Sequence, residues 1–204
     1  NVNNTKKNNN VNHKSHTNVF HNIFSSKTGQ NKAQNALRSE NKIISGFSNI
    51  KNNSYDNKKY WGTPTWYLFH SIAARINEEY YKNNYNMIWS FITEVCAMLP
   101  CPYCRQHAVQ YISKIYNEQI NTKDKLIDVL FAFHNYANIN SGSEQYLEEK
   151  LEIYKKANMI KIFNLFQSRF FKSYILTREF QDWNKIKFKN KFKEFVEETQ
   201  DHYN

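Results

Sequence analysis

The chain has 204 residues, of which 16% are aromatic and only four are Gly and three are Pro, a composition that favours long helices. Its net charge is +10, but residues 1–57 hold 8 Lys and Arg against 2 Asp and Glu, so more than half of the excess lies in this leading segment. The charge is therefore weak evidence that the folded part binds nucleic acid, and no such partner is expected. Three cysteines exclude a disulfide-rich secreted scaffold, and no apolar run approaches the ~20 residues of a membrane span.

Residues 1–57 are predicted to be a disordered tail. They contain 16 Asn and only short apolar patches, and such a segment buries too little apolar surface to offset its ordering entropy. The alternative is that this basic tail is an electrostatic tether to an acidic surface. Because the sequence begins with Asn1 rather than Met, we expect that a preceding segment has been trimmed, and that segment could have carried a targeting signal.

Residues 58–142 are predicted to form a four-helix bundle. Gly62 and Pro64 predict a turn, with Thr63 or Thr65 as the cap of the helix that follows. Apolar periodicity predicts helices over about residues 65–81, 85–99, 101–116 and 122–141, and Gly142 ends the last of them. Residues 143–204 are predicted to be an additional helical region, which packs on the same domain or on a second subunit.

Two residues with reactive or metal-binding side chains lie on the apolar stripes of the first two helices. His70 lies among the apolar residues of the first helix, and Cys96 among those of the second. A histidine in such a stripe is more often a hydrogen-bonded core residue than a ligand, and a free cysteine there is more often a small core residue.

Residues 101–107, with the sequence CPYCRQH, hold two of the three cysteines at C-x-x-C spacing. In the first turn of a helix, residues three apart lie on one face, close enough for a disulfide. The helix N-terminus, Arg105 and His107 add positive potential, which favours a thiolate over a thiol. This arrangement is typical of a redox-active dithiol.

The same spacing also occurs in half of a zinc site. Zinc needs four ligands, and Cys96 with a histidine such as His107 could complete a set with Cys101 and Cys104. The protein would then be a zinc-stabilised helical interaction module rather than an enzyme. The motif alone leaves both interpretations open.

Three clusters follow one another along the chain: Trp61-Gly62-x-x-x-Trp66-x-x-x-His70, Cys101-x-x-Cys104-x-x-His107 and His134-Asn135-x-Ala137-Asn138. Together they resemble the Erv/ALR family of FAD-linked sulfhydryl oxidases, over about residues 60–140. The resemblance implies an all-α fold in which a four-helix bundle holds FAD between its helices. It also implies that the dithiol lies against the flavin ring and oxidises protein dithiols.

The resemblance also implies a role for each cluster. Cys101 would exchange with the substrate dithiol, and Cys104 would face the flavin, whose electrons pass to oxygen to give hydrogen peroxide. The residues assigned to cofactor binding come from all three clusters: Trp61, Gly62, Thr63, Trp66, His70, His107, His134, Asn135 and Asn138.

The sequence departs from the family pattern at three points. Ala137 replaces a valine, the lysine expected shortly after Asn138 is missing, and there is no second C-x-x-C in these 204 residues. The enzyme would therefore take electrons directly from a substrate dithiol or from a separate thiol carrier protein. An inactive oxidase-like scaffold is the remaining alternative.

The motif CPYC, the Asn and Lys bias and the added helices look most like family members from large cytoplasmic DNA viruses. That likeness implies the host cytoplasm or the virion as the location, with the mitochondrial intermembrane space as the alternative. Family members usually form dimers through the helices of the bundle, and a homodimer is therefore expected.

Overall fold

The computed structural model describes the backbone of residues 51–177 and 180–204, and the side chains of residues 58–174 and 180–204. The helices are α1 (Lys51–Arg75), α2 (Glu78–Ala97), α3 (Pro102–Ile112), α4 (Lys123–Ser141), α5 (Met159–Thr177) and α6 (Asp182–Thr199). Short 3₁₀ segments cover Asn117–Gln119, Glu148–Lys156 and Gln200–His202. The predicted all-α fold is confirmed. None of the helices described has the length and apolar character needed to cross a bilayer.

Residues 1–50 of the tail that was predicted for residues 1–57 lie outside the described residues. Residues 51–57 belong to α1, so this helix begins before residue 58, where the bundle was predicted to start.

Helix α1 continues through Gly62 and Pro64, so the turn predicted there is wrong. A proline inside a helix removes one backbone hydrogen bond and costs about 3 kcal/mol. Burial of apolar groups offsets this cost, because Pro64 and Trp61 are both buried and the Trp61 ring packs edge-on against Phe170 of α5, with centroids 6.4 Å apart. Thr65 is not a cap; its hydroxyl donates to the Trp61 carbonyl at 2.7 Å.

The boundary between α1 and α2 also differs from the prediction, which continued the first helix to about residue 81. Asn77 caps α2, since its side-chain oxygen accepts a hydrogen bond from the Tyr80 N–H at 3.1 Å. Ile76 forms an isolated antiparallel bridge with Tyr203. The C-terminus of the chain thus pairs with the backbone where the first helix ends, which a local sequence pattern does not reveal.

Other predicted boundaries are confirmed or shifted. Thr122 caps α4 by accepting from the Lys125 N–H at 3.4 Å, and Gly142 ends α4 with φ of 69°, as predicted. Helix α3 ends at Ile112 rather than near residue 116. Residues 148–156 form a 3₁₀ segment instead of a continuous α-helix.

The C-terminal helices complete the core of the bundle. Helix α5 packs along α1, and α6 packs on α2, where the rings of Phe91 and Phe195 stack at 3.7 Å. Lys191 of α6 also pairs with Glu94 of α2 at 2.8 Å. Residues 50–204 form one compact unit, so the additional helical region at 143–204 is continuous with the bundle.

Candidate active site

Cys101 and Cys104 form a disulfide at the start of α3, with their Cα atoms 5.2 Å apart. Cys101 is the N-cap residue in extended backbone, and Pro102 occupies the first turn, where its missing N–H costs nothing. The Cys101 Sγ accepts a hydrogen bond from the Cys104 N–H at 3.2 Å. A thiolate released at Cys101 would therefore lie at the positive end of a helix, beside a backbone donor.

The two sulfurs have different surroundings. An apolar cleft of about 170 Å³ lies between α1, α2, α3 and α4, and its lining includes Cys104 but not Cys101. Trp66 and Phe133 contribute aromatic surface to the lining, while Tyr103 at its rim is 49% exposed. One cysteine of the pair thus faces the cleft, and the other remains partly accessible outside it.

The structure brings several predicted residues together at this cleft. Trp61, Gly62 and Trp66 of α1, His107 of α3 and Asn138 of α4 all belong to its lining, together with Cys104. A Cβ atom at Gly62 would meet nothing within 4 Å, so the space above this glycine is open.

Polar residues absent from the predicted set also line the cleft. They are Lys58, Thr65, Asn140 and Ser141. Thr65 lies three residues after Gly62 on the same helical face, so spacing would have indicated it had α1 been predicted to run through Pro64. Lys58, Asn140 and Ser141 lie outside the three motifs, and no residue pattern singled them out.

Four other predicted residues are not part of the lining. Thr63 is exposed on α1, and it neither caps a helix nor faces the cleft. His70 and His134 are buried behind Trp66, whose ring stacks on His134 at 4.0 Å with an angle of 8° between the planes. Asn135 is also absent from the lining.

His70 and His134 contact each other directly, with Nε2 of His70 and Nδ1 of His134 2.9 Å apart. Burial, and then the neighbouring His134, lower the pKa of His70 from 6.5 to about 3; burial lowers the pKa of His134 from 6.5 to about 4. Both imidazoles are therefore neutral near pH 7, with one ring donating and the other accepting.

The loop after α4 is attached to the histidine pair through Tyr146, which the sequence analysis missed. The Asn135 side chain accepts from the Tyr146 N–H at 2.7 Å and donates to the Tyr146 carbonyl at 3.1 Å. Asn138 donates to the Glu144 carbonyl at 2.9 Å. The Tyr146 ring stacks on His134 at 4.2 Å, so His134 lies between the Tyr146 and Trp66 rings.

A second cavity, of about 380 Å³, lies beyond His70 between α1, α4 and the 3₁₀ segment Glu148–Lys156. Its lining includes Lys123 and Lys155 as well as Glu78 and Asp124, so charges of both signs face it. His70 belongs to the wall of this second cavity, whereas Trp66 belongs to the wall of the first. The stacked side chains of Trp66, His134 and His70 therefore lie between the two cavities.

The third cysteine, Cys96, lines the same cleft as Cys104 but is bonded to neither cysteine of the pair. Cys96 is buried, and burial raises the pKa of its thiol far above the ordinary value. Cys101 and Cys104 are bonded to each other, and among the described side chains no three His, Cys, Asp or Glu residues converge on a possible metal position. The Cys96, Cys101, Cys104 and His107 zinc set is therefore not assembled.

Comparisons with known proteins found one family model and two viral relatives that this chain resembles. A model of the Erv1/Alr family matches residues 63–158. The chain is 28% identical over 88 residues to a candidate FAD-linked sulfhydryl oxidase of Invertebrate iridescent virus 3, a match that covers 43% of this chain and 60% of that relative. It is 25% identical over 105 residues to a candidate FAD-linked sulfhydryl oxidase of Frog virus 3 (isolate Goorha), covering 48% and 70%. The match thus spans less than two thirds of the first relative, and no solved structure matches the chain.

Proposed function

We propose that this protein is an FAD-dependent sulfhydryl oxidase that forms disulfides in protein substrates, since its residues 63–158 match a model of the Erv1/Alr family. The observation that carries the proposal is the position of the Cys101–Cys104 disulfide, whose second cysteine lines an apolar cleft while the first does not. Both viral relatives are described as FAD-linked sulfhydryl oxidases, which supports the same activity.

The residues of the cleft fit a flavin. A flavin is a broad, flat ring system that needs aromatic surface and a few placed polar groups. Trp66 and Phe133 supply aromatic surface, Asn138 supplies an amide, and Gly62 leaves its side of the cleft open. Lys58 also lines the cleft and adds a cation that would pair with the phosphates of FAD. It would thereby replace the lysine that the family pattern has shortly after Asn138 and that this sequence lacks.

When bound, FAD supplies the electron acceptor that the thiol chemistry needs, and it passes two electrons to oxygen to give hydrogen peroxide. The contribution of Trp66, His70 and His134 is to hold one wall of the site in place, since Trp66 stacks on His134 and the two histidines contact each other. Neutral imidazoles add no net charge to that wall.

The exchange step follows from the geometry of the disulfide. A substrate thiolate attacks the Cys101 Sγ, the Cys101–Cys104 bond breaks, and Cys104 leaves as a thiolate at the cleft. The second substrate thiolate then attacks the substrate sulfur of the mixed disulfide and releases Cys101 as a thiolate. The substrate has lost two electrons and two protons, and the pair holds the two electrons, which leave through Cys104.

The proposal is tested by the flavin content of the purified protein and by its oxygen uptake with dithiothreitol. We expect about one flavin per chain and one hydrogen peroxide per oxygen consumed, with uptake lost in Cys104→Ser and retained in Cys96→Ala. A colourless protein that neither binds added FAD nor consumes oxygen would overturn the proposal.

We further propose that the protein forms a homodimer. Since α5 and α6 cover α1 and α2, the contact would use another surface of the described unit. Light scattering on the purified protein distinguishes a monomer of 24.5 kDa from a dimer of twice that mass.

We also propose that the protein acts in the host cytoplasm or the virion. The viral origin of the two relatives supports this location. Detection of the protein in purified virions or in the cytosolic fraction of infected cells, with mitochondrial fractions as the comparison, tests it.

A further inference from the structure

The first two turns of α6 present apolar side chains to solvent. Trp183 is 69% exposed and Ile186 is 55% exposed, and residues three apart on a helix share a face. The opposite face of α6 packs into the core through Phe188, Phe192 and Phe195. The outward pair is therefore not required for folding, and it leaves apolar surface available to a partner.

The same turns are strongly basic. Residues 180–193 contain five Lys against one Asp. Lys185, Lys191 and Lys193 are paired with carboxylates, whereas Lys187 and Lys189 are exposed and have no ion-pair partner among the described residues. A face that joins unpaired lysines to an exposed tryptophan is electrostatically complementary to an acidic partner with apolar side chains.

Phe180, which lies two residues before the start of α6, contacts the side chain of the residue that follows the redox disulfide. The guanidinium carbon of Arg105, the residue after Cys104, lies 4.6 Å from the centre of the Phe180 ring, and Arg105 Nη1 donates to the Leu99 carbonyl at 3.0 Å. The Tyr174 ring also packs edge-on with the Phe180 ring, with centroids 5.4 Å apart. Trp183 follows Phe180 by three residues, which span at most about 10 Å.

We propose that Trp183, Ile186, Lys187 and Lys189 form a docking surface for an acidic, apolar segment next to the cysteine pair of a protein substrate. This inference rests on the proposed oxidase function and names the chemistry of its substrate. A substrate held on this surface has its thiols near Cys101, so its cysteines react at a high effective concentration. Helix α6, which follows the four-helix bundle, thereby helps to select which protein dithiols are oxidised.

The test compares two peptides with one C-x-x-C dithiol each, flanked in one case by Glu and Leu and in the other by Lys and Ser. Oxygen uptake is measured with the flavin-loaded full chain, and kcat/KM for each peptide is divided by the value for dithiothreitol. We expect the wild type to prefer the acidic peptide and Lys187→Glu/Lys189→Glu to lower that normalised value about tenfold, through KM, since each charge reversal removes an attraction and adds a repulsion.

The matched control is Lys82→Glu/Lys161→Glu, which changes the net charge by the same amount at two exposed sites on α2 and α5. It should leave the peptide preference unchanged. Trp183→Ala should lower kcat/KM for the acidic peptide without changing the thermal unfolding midpoint, because Trp183 is exposed.

Equal values for the two peptides, or equal losses in the test and control variants, would overturn the docking surface even if dithiothreitol turnover is normal. The same holds if the two lysines prove to bind only nucleic acid or anionic vesicles while peptide oxidation is unaffected. Absence of dithiothreitol turnover in the wild type would instead count against the oxidase function itself.

Discussion

The two cysteines of the disulfide differ in what surrounds them. Cys101 is the N-cap of α3, where its sulfur accepts the Cys104 N–H, and it does not line the cleft. Cys104 lines the cleft beside Trp66. The sulfur outside the cleft is the more accessible site for an attacking substrate thiolate, whereas the sulfur in the cleft is placed for electron transfer.

This difference predicts which variant traps substrate. In Cys104→Ser, Cys101 retains a thiol that forms a mixed disulfide with an oxidised test peptide carrying a single cysteine, and neither the substituted position nor the peptide then supplies a second thiol to resolve it. We expect this variant to accumulate such adducts with a test peptide, detected by non-reducing mass spectrometry. Cys101→Ser should accumulate far less, because Cys104 is directed into the cleft; equal trapping by the two variants would contradict the assignment.

The His70–His134 pair predicts a dependence of stability on pH. Both pKa values are lower in the folded protein, at about 3 and about 4, than the value of 6.5 expected when unfolded. Below pH 6.5 the two histidines are protonated in the unfolded chain but remain neutral in the folded chain. The free energy of unfolding therefore decreases as the pH falls, by about 1 kcal/mol per pH unit for each histidine.

Urea unfolding of the apoprotein between pH 7 and pH 5 measures this slope. His70→Gln removes one of the two titrating groups and should reduce the slope, whatever its effect on stability at pH 7. A wild-type free energy of unfolding that stays constant over this range would show that the histidines are not buried as neutral groups.

At the scale of elements, the end of α4 positions the loop that carries Tyr146. Gly142 adopts φ of 69°, which strains a residue with a Cβ, and the Asn135 and Asn138 side chains then bond the backbone of the loop. The motif around His134 therefore acts partly through the loop that its asparagines hold, and the stacked Tyr146 ring closes one side of His134.

Gly142→Ala should lower the free energy of unfolding by about 1 kcal/mol, and Gly142→Asn by less, because Asn tolerates the left-handed region better. Gly62→Ala is the comparison, since it lies inside α1 with nothing within 4 Å of an added Cβ, and it should stabilise the apoprotein by roughly 0.5–1 kcal/mol. Chemical unfolding of the three variants without flavin shows whether the free energy of unfolding decreases in the Gly142 variants and increases in Gly62→Ala. Equal effects at the two glycines would contradict the backbone interpretation.

The sequence predicted those features of the helices that depend on neighbouring residues, and missed those that depend on contacts between distant parts of the chain. The start of α3 near Cys101, the start of α4 near Thr122 and its end at Gly142 each depend on a few neighbouring residues, and all three were predicted. The passage of α1 through Pro64 depends on packing against α5, more than 100 residues later, and was missed.

The site shows the same division. Helical spacing grouped Trp66 with His70 and His134 with Asn138, and the rings of Trp66 and His134 do stack. Spacing could not show that both histidines lie behind Trp66, nor that Tyr146 reaches His134 from a loop, because those contacts depend on how the helices and the loop pack.

At the scale of the whole molecule, the C-terminal helices are part of the core. Phe170 of α5 is fully buried against Trp61 of α1, and Trp61 also lines the cleft. Because α1 carries one wall of the cleft, packing of α5 and the shape of the candidate cofactor site are directly connected. The part of the chain from residue 51 to residue 204 should therefore unfold as one cooperative unit rather than as a bundle with a detachable extension.

Phe170→Ala should cost about 3–5 kcal/mol of stability, the usual range for removing a buried aromatic ring, and should weaken flavin retention through Trp61. Trp183→Ala, which removes an exposed ring from the neighbouring helix, should change stability by less than about 0.5 kcal/mol. Thermal unfolding followed by circular dichroism and by flavin release checks the two variants together. Flavin release well below the helical transition in the wild type would indicate separate units.

The most direct test of the central claim is the bleaching of flavin absorbance by dithiothreitol without oxygen, followed near ~450 nm, a band that belongs to the cofactor. If electrons travel from thiols through the Cys101–Cys104 pair, the wild type and Cys96→Ala should bleach rapidly and Cys101→Ser and Cys104→Ser should not. Bleaching of Cys104→Ser at the wild-type rate would show that electrons reach the flavin without the pair, and the proposed route would be wrong.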